Sequence, residues 1–303
     1  MQEAELGRER TPSDGCRRYR PVQYTFDTRM RFLEVKIEDD WEPAVIEQWK
    51  KHQEQVQQGI LAQFGPINGE RKIKDFMALE AAPFSVIAQH TEFLHQTRLS
   101  FVAGAYYPCL TASGALGERI LNQLIVTMRA DFPKSRKVTV PQSFDDWDTA
   151  VGILRDDWGA LDAETAKAFL KLKKLRNNAV HYSPDLDGTN ARTQALEATT
   201  VLQGIITALF SPIGPSPWLL NGVPGEFYIA RDKEAHPVVK HFFIPASVLI
   251  SPNHTWLPGD SVVDDETYQL TRPDDLTDDA FIDHRIESIR RAASGLEEPG
   301  KQR

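Results

Sequence analysis

At 303 residues, 41% of them hydrophobic and 26% charged, the chain has apolar material for one large or two ordinary globular domains. A net charge of −8 argues against a protein that coats nucleic acid non-specifically, because phosphate binding needs a basic surface. No apolar run approaches the roughly 18 residues of a membrane span, and two cysteines, Cys16 and Cys109, supply neither a disulfide framework nor a zinc spacing.

Residues 1–20 are polar and mixed in charge and lack the apolar centre of a secretory signal. They read as a disordered lead-in, and an intracellular, cytoplasmic compartment is the expectation. Val22, Tyr24, Phe26, Met30 and Phe32 then alternate with polar residues, the period of a half-buried strand with a phase slip at Phe32-Leu33. Trp41 to Phe64 has a broken apolar stripe at helical spacing, ended by Gly65-Pro66. Pro83 is placed to open the next helical stretch, Phe84 to Phe132, which Gly104 and Pro108 divide. Pro133 and Pro141 bracket a loop, and Asp145 to Asp157 reads as a short acidic helix. Asp162 is the expected N-cap of a basic helix, with Glu164 in its first turn where the dipole favours acid. Another helix spans about Asn190 to Phe210.

Three prolines between Ser211 and Pro217 mark a boundary. Beyond it, Phe227–Ile229 and Val238–Ile244 read as strands, and Asp278 to Ala293 as a last helix in an acidic segment. The expectation is a mainly α fold, α+β overall. It comprises the lead-in, a strand/helix flank over 21–83, a four-helix bundle over 84–210 and a strand-containing segment over 211–303 with an acidic tail. The flanks are free either to pair into one small sheet or to join the bundle separately.

The chemistry concentrates in Leu172–Pro184, L-K-K-L-R-N-N-A-V-H-Y-S-P. Here a basic amphipathic helix with Lys167, Lys171, Lys173, Lys174 and Arg176 ends on Asn177, His181 and a Ser-Pro break. Arginine is a permanent, bidentate partner for phosphate. Histidine titrates near neutrality and serves as base or acid. Asn177 is placed to orient a phosphate or to hold His181, Lys173 and Lys174 to draw a polyanion in, and Tyr182 to contact it. Five residues make about 1.4 turns, so Arg176 and His181 do not share a helix face. They converge only if the last turn loosens or if two chains meet.

This stretch resembles the R-x4-H motif of the HEPN domain, a four-helix family rich in ribonucleases, including the polar residue directly after the arginine. Upstream, Ala105-Tyr106-Tyr107-Pro108 through Gly117-Glu118-Arg119 looks like the early HEPN helix with its acidic residue; the resemblance makes Glu118 that residue, facing Arg176. It covers roughly 84–210, under half of the chain. It implies a homodimer with the site in the dimer cleft, RNA as substrate, a cyclic-phosphate product, no metal and no cofactor, in stress response or phage defence. In some toxin relatives a modified tyrosine lies two places after the histidine. Here Ser183 holds that place and Tyr182 follows His181 directly, so such control by a partner is not carried over.

The spacing is unspecific by itself, since Arg231 and His236 also fit it, beside Pro237 and between the expected strands. Helix context separates the two. The remaining candidates are weaker. Glu34-Val35-Lys36 matches part of a restriction-type nuclease motif with Asp27 upstream. Asp145, Asp146 and Asp148 read as a solvated face, Asp283-His284 as a surface pair, and His241 as an exposed strand residue. Tyr106, Tyr107 and Trp147 are base-stacking candidates whose better reading is core packing. The expected function is a metal-independent endoribonuclease; the alternative is a non-catalytic HEPN-like module that binds a protein or a nucleotide.

Overall fold

The computed structural model describes residues 2–3, 5–24, 27–133, 146–181, 190–214, 216–257, 261–265, 268 and 275–294. The chain is mainly helical with a few short antiparallel strands, α+β overall. No helix among the described residues is long and apolar enough to cross a membrane. The chain forms two compact units, one of residues 25–211 and one of residues 1–24 with 212–303.

In the 25–211 unit the helices are α1 (Arg29–Glu34), α2 (Pro43–Phe64), α3 (Gly69–Ala78), α4 (Ala88–Ala103), α5 (Tyr106–Met128), α6 (Trp147–Gly152), α7 (Ala163–Val180) and α8 (Ala191–Phe210). The wider helical turn Ile153–Asp157 continues α6. Helix α5 is the centre and packs against α4, α7 and α8. It buries Cys109, Leu110, Leu116, Ile120, Leu121, Leu124, Ile125 and Met128, too wide a face for a surface helix. Phe169, Leu172, Leu175 and Ala179 of α7 and Leu202, Ile205, Ile206 and Leu209 of α8 close around it.

Gly104, at φ +87°, ends α4, where its N–H donates to the Phe101 carbonyl. Pro108 falls in the first turn of α5, where an absent N–H costs nothing, so it does not break the helix. Buried Asp75 of α3 accepts hydrogen bonds from Arg71, from the Tyr106 hydroxyl (2.8 Å) and from Arg192 Nε (2.9 Å), tying α3 to α5 and α8. Two expectations are corrected here. Pro83 does not open α4, whose N-cap is Ile87. The alternating run at 22–32 is not a strand: the Asp27 carboxylate accepts from the backbone and side chain of Arg29 and starts α1, in which Met30 alone is buried. Thr25 and Phe26 of that run lie outside the described residues.

His90 of α4 is buried edge-on to Phe210, with ring centroids 5.5 Å apart. Neither ring nitrogen has a hydrogen-bond partner among the described residues. Burial pushes its pKa down to about 4; the nearby Arg119 charge acts in the same direction and the Gln123 side chain opposes it. The folded value lies below the unfolded one, so the unfolded chain takes the proton first and stability falls as pH drops from about 6.5 towards 4. Urea melts between pH 7 and 4 are expected to show this loss in the wild type and His90→Leu to reduce it, the remainder including that of His254, which burial lowers to about 3.

The 1–24/212–303 unit contains β1 (Gln2–Glu3), β2 (Arg18–Pro21), β3 (Ser247–Ile250), β4 (Thr255–Leu257), β5 (Ser261–Asp264) and α9 (Asp278–Ala293). Strand β2 pairs antiparallel with β3, Arg18 opposite Ile250, and β1, β5 and β4 form a second sheet. Leu220, Val223, Tyr228, Val248, Ile250, Val262 and Phe281 make the core. The stretch expected to be a disordered lead-in instead carries β1 and β2, which pair with β5 and β3 from the far end of the chain. Its arginines are buried against distant acids, Arg17 Nε on Asp264 and Arg18 Nε on Asp278, at 2.8 and 2.7 Å.

The expected strands at 227–229 and 238–244 are corrected as well. Ile229 makes one isolated bridge to Leu219, and Val239–Phe243 is a wide helical turn. Val238, Val239, Phe242 and Phe243 are all buried at helical spacing, a period hidden by their β-branched and aromatic character.

Candidate functional site

Helix α7 begins where Asp162 Oδ1 accepts from the Thr165 N–H at 2.6 Å. It stays regular to its end, where the His181 N–H donates to the Asn177 carbonyl at 3.0 Å. His181 then leaves the helix in an extended conformation (φ −100°, ψ 147°), exposed at the helix end. The last turn has not loosened, and within one chain this keeps the imidazole off the face that carries Arg176.

Arg176 faces α5. Its Nη2 donates to Glu118 Oε2 at 3.3 Å, and its Nη1 to Asn177 Oδ1 at 3.2 Å. The same Glu118 oxygen accepts from Trp147 Nε1 at 3.3 Å. The pair is partly open, with side chains 30% and 25% exposed. It lines a groove of about 430 Å³ with Thr111, Ala115, Arg119, Asn122 and Val180. Arg119 lies with its guanidinium carbon 5.1 Å from the Phe93 ring centre. Two guanidinium groups and one carboxylate leave the groove one positive charge, which suits a phosphodiester.

Two glycines bring α5 and α7 close enough for this pairing. A Cβ on Gly114 would lie 2.4 Å from Arg176 Cγ and 2.5 Å from its Cβ, and one on Gly117 would lie 2.5 Å from Leu172 Cδ2. The atoms met at Gly114 belong to the root of the arginine side chain, which cannot swing away without the helix. Gly114→Ala is therefore expected to cost about 1–3 kcal/mol in urea unfolding and to dislodge Arg176. A melt within about 0.5 kcal/mol of wild type would show the two helices to be loosely seated.

Of the residues singled out from sequence, Arg176, Asn177 and Glu118 are brought together, and His181 sits one residue beyond the groove-lining Val180. Lys173 is tied to Asp148, and Lys171 to Glu197 at 2.7 Å. Lys174 is exposed, and Tyr182 and Pro184 lie outside the described residues. Sequence reasoning missed Arg119, Asn122 and the glycine seat. It also missed the Trp147 indole as a hydrogen-bond donor to Glu118; the ring itself is buried, as its core reading expected. A glycine recurring on the face of α5 opposite the arginine was the available signal for the seat.

The remaining candidates are accounted for elsewhere. Glu34 ends α1 and is not on a strand. Asp146 caps α6, accepting from Asp148 and Thr149 N–H groups; Asp145 lies outside the described residues. His241 is in the Val239–Phe243 turn, and His284 lies edge-on to Tyr268 at 6.3 Å. His236 packs on Trp218 at 4.4 Å, and Arg231 pairs with Glu234. Tyr106 is held by Asp75, whereas Tyr107 is 54% exposed.

Comparison of the chain with known family models, with curated proteins and with solved structures found no match in any of the three.

Proposed function

We propose that this chain is a metal-independent endoribonuclease of HEPN type, working in the cytoplasm as a homodimer. One observation carries the reading: Arg176 and Glu118 pair at the mouth of an open, positively biased groove between the two helices that bear the family-like motifs. Both helix ends of a twofold dimer bring an Arg176, an Asn177 and a His181 to one cleft. Arg176 and Arg119 hold the phosphate that becomes pentacovalent. One His181 takes the proton of the 2′-hydroxyl as its oxygen attacks phosphorus. The other gives a proton to the departing 5′-oxygen, leaving a 2′,3′-cyclic phosphate and a 5′-hydroxyl. Glu118, steadied by Trp147, keeps the Arg176 guanidinium in plane with the phosphate, and Asn177 orients it. Role in stress response or phage defence follows from the same resemblance.

A non-catalytic protein- or nucleotide-binding module is the second reading. It is favoured by the position of His181 outside the residues that line the groove of a single copy. The two readings separate on total RNA or tRNA incubated with the protein in excess chelator. The nuclease reading expects fragments with cyclic-phosphate ends and a species of twice the 34.2 kDa chain mass in sedimentation. Intact RNA beside an intact dimer would leave the binding module.

A further inference from the structure

The start of α2 and the residues just before it present an aromatic group remote in sequence from the groove. Trp41 and Trp49 have ring centroids 6.4 Å apart, inclined at 49°. Phe32 and His52 back Trp49 at 6.0 and 6.2 Å. Of the 22 residues of α2 only Ile60 is buried, so this helix does not use Trp49 to seal a core, and Trp41, just before the helix, is half-buried. The two indoles, Glu42 and Val45 line an open hollow of about 290 Å³. Glu42 on this lining is exposed, and the exposed acids Glu38, Asp39 and Asp40 lie just before Trp41 in the chain. Of these, Glu38 is engaged by Lys36 at 3.5 Å.

Elsewhere in the same unit the chain covers aromatic faces with its own arginines: Arg29 on Phe76, Arg31 on Phe84, Arg119 on Phe93 and Arg192 on Phe101, at 5.0, 5.3, 5.1 and 5.6 Å. Among the described residues no such cation stands over Trp41 or Trp49. Indole is the best cation–π face of the three aromatic types, and a cage of two such faces beside a carboxylate selects an organic cation. The hollow has an apolar wall, one exposed carboxylate, Glu42, and no basic lining residue. This lining is unsuited to a phosphate and favours a guanidinium or ammonium group.

We infer that Trp41, Trp49 and Glu42 form a docking site for an arginine or lysine side chain on a basic segment of a partner protein. The open, shallow shape fits a side chain delivered by a peptide better than a small molecule enclosed on its own. The site is independent of the proposed nuclease groove.

The test uses the full chain and a fluorescently labelled eight-residue peptide alternating arginine and glycine, with a citrulline version as the uncharged control. Anisotropy is expected to show binding of the arginine peptide and not the citrulline one. Trp41→Ala and Trp49→Ala should weaken it about tenfold, Trp49→Phe less, and Glu42→Gln partly, with circular dichroism unchanged. Equal binding by wild type and both alanine variants would overturn the proposal, as would no binding at all. Tetramethylammonium displacing the peptide supports the cage. Tetramethylammonium binding more tightly than the peptide would overturn the protein-partner assignment in favour of a free quaternary ammonium.

Discussion

Arg176→Met is expected to reduce RNA cleavage by at least about 100-fold while changing unfolding free energy by less than about 1 kcal/mol. The methionine keeps an apolar stem over Gly114 and removes only the guanidinium. What is lost structurally is one partly exposed pair to Glu118 at 3.3 Å and a hydrogen bond to Asn177 at 3.2 Å, and solvent screening keeps their worth small. What is lost chemically is the fixed positive charge at the phosphate, needed most as charge builds on the equatorial oxygens. Arg176→Lys should recover little, since a point charge cannot reproduce the planar contact to Glu118 and phosphate together. A variant that unfolds several kcal/mol more easily would mark Arg176 as a structural strut. One that cuts at the wild-type rate would remove it from the chemistry.

Glu226→Gln is expected to be the most damaging single change in the 1–24/212–303 unit, at about 3–5 kcal/mol. Glu226 accepts from Arg285 Nε and Nη2 at 2.7 and 2.8 Å, from Arg20 Nη1 at 2.9 Å and from the Tyr228 hydroxyl. Arg285 also donates to the carbonyls of Pro252 and His254, and Arg20 reaches His254 Nε2 at 3.0 Å while covering Trp256. One carboxylate thus compensates the buried guanidinium of Arg285 and the half-buried one of Arg20, and the isosteric amide leaves both without a counter-charge.

Burial by itself would raise the Glu226 pKa. The hydrogen bonds from Arg285 and Tyr228 and the charge of Arg20 outweigh it and lower the value to about 2. The folded value lies below the unfolded 4.5, so this stabilisation is complete above pH 4.5 and is lost as pH falls towards 2. Urea melts of this unit at pH 7 and pH 3 should therefore show a smaller gap between variant and wild type at the lower pH. A cost below about 1 kcal/mol at pH 7 would mean that water had replaced the carboxylate.

The parts of this molecule legible in the sequence are those set by local rules. The N-cap at Asp162, the stop at Gly104 and the span Asp278–Ala293 follow from capping chemistry and helical period over short range. The pairing of Glu118 with Arg176 was reachable only through the family resemblance, because 58 residues separate them. What could not be read depends on distant partners. Arg17 and Arg18 look like a solvated run until Asp264 and Asp278 are placed beside them. The same holds for Glu226 with Arg20 and Arg285. The false strand at Val238–Ile244 arose because valine and phenylalanine favour strands while their spacing was helical, and the spacing won through burial.

The most direct measurement compares wild type with His181→Ala on total RNA in excess chelator, both checked for the same melting temperature and dimer mass. Cleavage to cyclic-phosphate ends by the wild type, reduced at least about 100-fold in the variant, is the predicted result. Equal cleavage by the two proteins, or none by either while the dimer is intact, would contradict it.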